Sequence, residues 1–146
     1  MNDAISAAAP TQDEKTMAML AHILQIFTWW IGPLVIFLVK QDSKFVRFHA
    51  LQALLWQISL MVLGMIGVFL WVAVILSVVF SSAGRAAPHQ APPAAVFLGM
   101  GTIWLGFVAV YFSNIVLGIV YGIKAGRGEW ASYPLLGRWA REIVKS

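Results

Sequence analysis

The chain has 146 residues, of which 60% are hydrophobic and only 11% charged, and its mean hydropathy is +0.81. A soluble domain of this size needs more polar surface than this composition provides, which indicates an integral membrane protein. The absence of cysteine excludes disulfides and thiolate ligands. The net charge of +4 comes from basic residues beside apolar runs, so we expect membrane lipid with anionic headgroups, and not nucleic acid, as their partner.

The first predicted element is a short leader. Residues 1–12 are small and polar and are expected to be disordered, whereas residues 13–146 are expected to form a single helical membrane domain. Thr11 and Glu14 have the spacing of a capping box, in which each side chain bonds the backbone amide of the other residue. The first helix is therefore expected to begin here.

Three apolar runs follow, at about residues 17–39, 50–80 and 94–123. Each is long enough to cross a hydrocarbon core about 30 Å thick, which takes roughly 20 helical residues. The second and third runs are about ten residues longer than that, so they are expected to tilt or to project into the headgroup layer. The sequence predicts an all-α integral membrane protein with three transmembrane helices.

The first run is interrupted by the sequence WWIGP, from Trp29 to Pro33. A proline inside a helix removes a backbone donor and can kink the helix. We expect the run to cross the membrane in spite of this kink. The alternative is a re-entrant hairpin that turns at Gly32 and Pro33, and this hairpin would place the N terminus on the opposite side.

Lysine and arginine residues are distributed unevenly between the two ends of these runs. Eight of the ten follow the first or the third run, and only Lys15 and Arg85 fall on the other side of the predicted membrane. Because basic residues concentrate in cytoplasmic connections, three spans predict an outside N terminus and a cytoplasmic C terminus. The proline-rich stretch 81–95 is then an extended outside loop.

Two runs carry a face of small residues interrupted by one amide. In the third run these residues recur at every fourth position, and in the second they share a narrow sector. They are Asn114, Gly118, Gly122 and Gly126 in the third run, and Ala50, Ala53, Gln57 and Gly64 in the second. Such faces allow close helix packing in lipid, so we expect the two faces to meet, within one chain or between two copies, with a hydrogen bond from Gln57 to Asn114.

A second polar stripe opens the second run. His49 and Gln52 are expected at its cytoplasmic entrance, either solvated in the headgroup layer or lining a polar vestibule. His22 lies in the first run, near the outer surface if that run crosses, and would be too far from His49 in depth to pair with it. The three histidines have no metal-ligand spacing, and we expect no metal or cofactor.

The end of the chain, at about residues 134–145, is predicted to be an interfacial amphipathic helix. Pro134 suits a first helical position. Apolar residues occupy one side of this helix and charged residues the other, which favours a position at the surface of the membrane beside anionic lipid. The apolar side consists of Leu135, Leu136, Trp139, Ile143 and Val144, and the charged side of Arg138, Arg141, Glu142 and Lys145.

Three stretches, MLAHILQ, KFVRFHALQALLWQ and GIKAGRGEWASYPLLGR, resemble the Tic-twenty-like family of small bacterial membrane proteins over about Glu14 to Leu136. This family is named after a subunit of the chloroplast inner-envelope import translocon. The resemblance implies a bacterial inner-membrane protein associated with protein translocation. The translocon subunit has four spans where we count three, so a channel role is not carried across. The matching positions are His22, Lys44, Arg47, His49, Gln52, Gly128, Glu129, Tyr133 and Pro134.

The sequence favours a non-enzymatic role. No carboxylate lies within a predicted span, and no serine or histidine has an acidic partner at a recognisable spacing. We therefore expect a scaffold or assembly factor that binds other membrane proteins or itself. The alternative is a small transporter or a channel-forming homo-oligomer; the channel would need several copies, because the spans contain no deeply placed ionisable group.

Overall fold

The computed structural model describes residues 9–83, 94–134 and 136–145. The predicted leader up to residue 8 and the predicted loop from 84 to 93 lie outside the described residues. Five helices account for most of the described chain, as the all-α prediction required. They are α1 (Gln12–Thr28), α2 (Ile31–Val39), α3 (Lys44–Ala83), α4 (Ala94–Gly126) and α5 (Leu136–Lys145).

The start of α1 has the predicted capping box. The amide of Thr11 donates to Glu14 Oε2 at 2.7 Å, and the amide of Glu14 donates to Thr11 Oγ1 at 3.3 Å. These bonds satisfy two of the backbone donors that a helix leaves free at its N terminus. The prediction that the first helix begins here is confirmed.

The first apolar run does not form one continuous helix, because the chain turns at Trp29 and Trp30. Trp29 has φ +56°, which an L-residue rarely adopts. The amide of Gly32 donates to Thr28 Oγ1 at 3.0 Å, and a Cβ at Gly32 would lie 2.6 Å from Leu24 Cβ. Pro33 falls in the first turn of α2, where the missing donor costs nothing. The predicted kink is therefore the boundary between two helices.

Helix α2 returns towards the beginning of α1. Lys40 Nζ lies 2.7 Å from Asp13 Oδ2, and the Ser43 hydroxyl donates to Glu14 Oε1 at 2.6 Å. The Ser43 hydrogen bond, followed by that from the Thr11 amide, lowers the pKa of the Glu14 carboxyl. Both ends of the segment 12–43 thus lie together. The expectation that residues 17–39 form one crossing helix is wrong. The chain folds back as in the alternative hairpin, but it turns at Trp29 and Trp30, before the predicted turn at Gly32 and Pro33.

The other two predicted runs are long apolar helices. The stretches Lys44–Ser81 and Val96–Gly126 are long and apolar enough to cross a membrane, and the most apolar part of each has almost no residues buried within the protein. A soluble protein rarely exposes so large an apolar surface. Residues 9–83, 94–134 and 136–145 thus contain two helices long and apolar enough to span a membrane, and the predicted third span is not found among them.

The described chain divides into two compact units. One consists of Ser59–Phe112, which are the adjoining parts of α3 and α4, and its large side chains are mostly exposed. The other consists of Met1–Ile58 and Ser113–Ser146, and it contains the buried core. Three clusters form that core, and they consist of Ala21, Ile36, Val46 and Ala50; Phe48, Leu51, Ala140 and Val144; and Ala18, Phe45 and Ala125.

Helix α5 is amphipathic, as predicted, but its apolar residues point in two directions. Ala140 and Val144 pack against Phe48 and Leu51 of α3, whereas Trp139 and Ile143 are exposed. Protein contacts therefore hold one side of α5. Its predicted position at a lipid surface now depends on the exposed tryptophan and isoleucine.

Candidate functional site

The unit that contains the core encloses a chain of polar side chains from three elements. His22 and Gln25 come from α1, His49 and Gln52 from the first turns of α3, and Tyr133 from the connection between α4 and α5. All five are buried. A buried polar group without a partner is costly, so their hydrogen bonds determine whether this arrangement is stable.

The hydrogen bonds of this chain run in one direction. His49 Nε2 lies 3.0 Å from the carbonyl oxygen of Glu129, so this nitrogen must carry the proton. In the neutral ring, Nδ1 of His49 then accepts from His22 Nε2, at 3.0 Å. Nδ1 of His22 in turn accepts from the Tyr133 hydroxyl, also at 3.0 Å. Gln25 Nε2 completes the chain by donating to the same hydroxyl at 3.2 Å. Every ring nitrogen is paired when both histidines are neutral.

Burial raises the pKa of the Tyr133 phenol. The hydroxyl therefore stays protonated and remains the donor that His22 requires. A phenol in this state is a fixed hydrogen-bonding group and a poor nucleophile. The network is suited to holding helices in register.

The end of α4 positions the backbone carbonyl that His49 needs. Gly128 has φ +83°, and the amides of Gly128 and Glu129 donate to the carbonyls of Ala125 and Lys124 at 2.9 and 3.0 Å. This is the Schellman pattern, which places a glycine in the left-handed region after a helix. This turn positions the Glu129 carbonyl within hydrogen-bonding distance of His49.

Gln52 fixes the connection that follows. Its Oε1 accepts from the backbone amide of Tyr133 at 2.6 Å, and its Nε2 donates to the carbonyl of Ala131 at 3.2 Å. One side chain of α3 thus bonds the backbone on both sides of Ser132. His49 and Gln52 are both buried and bonded to protein groups. They therefore occupy neither of the two environments expected for them, which were a solvated headgroup layer and a polar vestibule.

Gln57 and Asn114 form a second polar contact within the same unit. Gln57 Nε2 donates to Asn114 Oδ1 at 2.9 Å, as predicted from the sequence, and also lies 2.8 Å from the carbonyl of Gln25. Asn114 Nδ2 lies 3.5 Å from that same carbonyl. The amides therefore join α1, α3 and α4, where only the last two had been expected.

The glycines of the small-residue face of α4 pack against a different helix from the one predicted. A Cβ on Gly118 would lie 2.8 Å from Ile26 Cδ1 and 2.9 Å from the carbonyl oxygen of His22. The neighbours nearest to Gly122 and Gly126 are likewise residues of α1, whereas a Cβ on Gly64 meets nothing within 4 Å. The predicted contact between the two faces is confirmed at Gln57 and Asn114 and is wrong for Gly64 and for the three glycines of α4. Because α1 folds back into the unit, it occupies this position.

The expected separation of His22 and His49 is also wrong, since they are hydrogen-bonded. It assumed that α1 crosses the membrane in the direction opposite to α3. The bonded pairs His22 with His49 and Gln25 with Gln57 show instead that α1 and α3 run in the same direction. Gln25 was missed as a partner, although it shares a helix face with His22, three residues away.

The remaining motif residues lie around this network. Lys44 begins α3, the Arg47 guanidinium lies 5.4 Å from the centre of the Phe37 ring, and Pro134 precedes α5. Among the described residues, no group of three or more His, Cys, Asp or Glu residues could hold a metal ion. Of the motif residues, His22, His49, Gln52 and Tyr133 are thus joined by hydrogen bonds to one another or to the protein backbone.

The described residues form helices, of which two are long, apolar and exposed, and this arrangement is that expected of a membrane protein. Residues 13–140 match the magnetosome magnetite crystal formation protein family, and the chain belongs to this family. It is also similar to a UPF0132 membrane protein of Methanocaldococcus jannaschii, with 26% identity over 137 residues that span 91% of this chain and 74% of the relative. No solved structure matches the chain.

These comparisons correct the resemblance stated above. The match to the magnetosome family covers the whole segment on which the Tic-twenty-like resemblance rested, and the curated relative is a UPF0132 membrane protein. The assignment to the Tic-twenty-like family is therefore wrong. The association with protein translocation that it implied has no support.

Proposed function

We propose that this chain is a non-enzymatic scaffold in the membrane that surrounds a growing mineral crystal. Membership in the crystal formation family supports the setting. The scaffold role is supported by the hydrogen bonds of the buried polar side chains. The buried histidines, glutamines and tyrosine bond to one another or to the backbone. The exposed side chains of α3 and α4 that remain for partners are mostly apolar.

The unit formed by Ser59–Phe112 offers one such surface. An apolar groove of about 310 Å³ lies between α3 and α4. A Cβ on Gly64, Gly67 or Gly106 would meet nothing within 4 Å, so bare backbone is accessible there. Bare backbone of this kind suits an acyl chain or a helix of another membrane protein. A channel has less support, because residues 59–83 contain no ionisable side chain.

The proposal includes a topology with two spans. Helices α3 and α4 cross the membrane, and the α1–α2 hairpin stays on the side from which it enters. Lys15 then joins the eight basic residues already grouped together, which leaves Arg85 alone on the other side. The positive-inside rule places both termini on the cytoplasmic side of a bacterial membrane. The expected outside N terminus depended on the single crossing of residues 17–39, which the hairpin replaces.

Labelling of single cysteines tests this topology, since the natural chain has no cysteine. In intact cells, a membrane-impermeant thiol reagent should label Ser82→Cys and leave Gln12→Cys and Ser146→Cys unlabelled. After the membrane is opened, all three should react, which controls for accessibility. Labelling of Gln12→Cys in intact cells would show that the first segment crosses the membrane and would overturn the two-span proposal.

The crystal-related role can be tested in a magnetite-forming bacterium that lacks its own member of the family. Expression of this chain should shift the crystal sizes, measured by electron microscopy, towards those of the intact strain. A Gly118→Leu variant, in which the packing of α1 on α4 is disrupted, is the matched negative control. Unchanged crystals in cells whose membranes contain the folded chain would contradict the proposed setting.

A further inference from the structure

The outer face of the α1–α2 hairpin is apolar and exposed. Helix α2 has the sequence IGPLVIFLV, without a polar side chain. Its inner residues Gly32, Pro33 and Ile36 are buried, while Phe27 before the turn is 76% exposed and Val39 at the end of α2 is 70% exposed. Trp29, Trp30 and Ile31 at the turn are exposed as well. This surface is too apolar to be stable in water.

The two ends of the hairpin differ in polarity. At its open end, where α1 begins and α2 ends, Lys40 pairs with Asp13 and Ser43 bonds Glu14. Its closed end is the turn, which consists of the two tryptophans. Because α1 runs in the same direction as the start of α3 within the same unit, the closed end lies away from the end at which Lys44 begins α3.

The length of the hairpin limits how far it can reach. Helix α2 has nine residues, which at 1.5 Å per residue corresponds to about 14 Å. Half of a hydrocarbon core of about 30 Å is roughly 15 Å. Helix α1 is longer, with 17 residues, but its polar first turn belongs to the open end, and the part of the apolar run that it contains, residues 17–28, spans about 18 Å. The apolar part of the hairpin therefore has about the depth of one leaflet and is too short to cross the whole core.

The polarity of this face matches that of lipid in the leaflet on the basic side of the chain. Four basic residues, Lys15, Lys40, Lys44 and Arg47, lie near the open end of the hairpin in the sequence, beside the acidic Asp13, Glu14 and Asp42. Lys40 is paired with Asp13, and the small excess of positive charge that remains favours anionic headgroups. The apolar face between these residues and the turn matches acyl chains. Lipid supplies both kinds of surface in this order, polar first and apolar beneath.

We propose that the α1–α2 hairpin is a wedge in one leaflet, and that the chain consequently favours and generates membrane curvature in which this leaflet is convex. Helices α3 and α4 add area to both leaflets, whereas α1 and α2 add area to one. An excess of area in one leaflet is relieved when that leaflet bends outward. The inference rests on the proposed two-span topology and is independent of any role in crystal growth.

Reconstitution of the full chain into a mixture of small and large vesicles that contain anionic lipid tests this proposal. Fluorescently labelled chain should reach a several-fold higher surface density on small vesicles. The chain should also orient itself there: an impermeant reagent should label Gln12→Cys in most copies on small vesicles, since their outer leaflet is convex. On large vesicles the labelled and unlabelled copies should be about equal. Equal density and random orientation on both sizes would overturn the proposal.

A double variant distinguishes the hairpin from the rest of the apolar surface. Phe27→Ser with Val39→Ser should reduce the preference for small vesicles, because these exposed side chains contribute to the wedge and not to the core. Phe69→Ser with Phe80→Ser is the matched control, since these side chains of α3 are 68% and 74% exposed, and it should keep the preference. Equal effects of the two variants would show that the preference for small vesicles does not depend on the hairpin.

Crosslinking tests whether a second copy of the chain, instead of lipid, covers the hairpin. Phe27→Cys should form no disulfide between copies in these vesicles if acyl chains cover the hairpin. An efficient crosslink would assign the face to a second copy and overturn the lipid wedge. The cysteine labelling in intact cells and the crystal measurements described above have separate readouts, so a failure of the curvature proposal is distinguishable from a failure of the topology or of the crystal-related role.

Discussion

Replacing His22 with Leu should lower the free energy of unfolding by about 3 to 5 kcal/mol, because the change leaves two buried groups without partners at about 1 to 3 kcal/mol each. Nδ1 of His49 loses its donor, and the Tyr133 hydroxyl loses its acceptor. Leu cannot replace either bond. Unfolding in detergent micelles, followed by tryptophan fluorescence during titration with a denaturing detergent, measures the difference.

Tyr133→Phe provides the second half of this experiment. It removes the hydroxyl that bonds His22 and Gln25, so it should cost about 1 to 3 kcal/mol by itself. The double variant should lose less than the sum of the two single losses, because the two residues bond each other. Additive losses would mean that the His22–Tyr133 bond contributes nothing, and they would contradict the directional network.

Interactions between neighbours in sequence or on adjacent helices were predicted best. The capping box of Thr11 and Glu14 depends on a spacing of three residues. The bond between Gln57 and Asn114 followed from their similar depth in two long helices and from the shortage of other partners in an apolar environment. The extent of α3 and α4 followed from continuous hydropathy, although α3 begins six residues earlier than the apolar run.

The hairpin could not be predicted in the same way, because residues 17–39 have the length and hydropathy of a span. The outcome depends on a single backbone conformation at Trp29, which occupies a region that most residues avoid. One sequence signal favoured it. His22 and Gln25 place two strongly polar side chains in an otherwise apolar run, and a span would have to bury both in lipid. In the folded chain they are buried in protein.

The error about the hairpin also accounts for the errors about the site. With α1 crossing, His22 and His49 lie far apart, and the Gly118 face of α4 has only α3 as a partner. With α1 folded back, both histidines meet and α1 packs on α4. Long-range contacts of this kind depend on topology, which local periodicity does not determine.

Replacing Gly118 with Leu should destabilise the chain by about 3 kcal/mol or more, because the site has no room for a side chain and overpacking forces the backbone apart. A Cβ there would lie 2.9 Å from the carbonyl oxygen of His22. That oxygen belongs to α1 and cannot rotate away as a side chain does. The same displacement would break the bonds that His22 makes.

Gly101→Leu in the same helix is the matched control. A Cβ on Gly101 would meet nothing within 4 Å, so the substitution should be neutral or should stabilise α4 by up to about 1 kcal/mol through its higher helix propensity. Adding Ile26→Ala to Gly118→Leu should restore only part of the stability, because it removes the Ile26 contact at 2.8 Å and leaves the His22 carbonyl in place. Equal effects of the Gly118 and Gly101 substitutions on detergent unfolding would mean that α1 does not pack on α4.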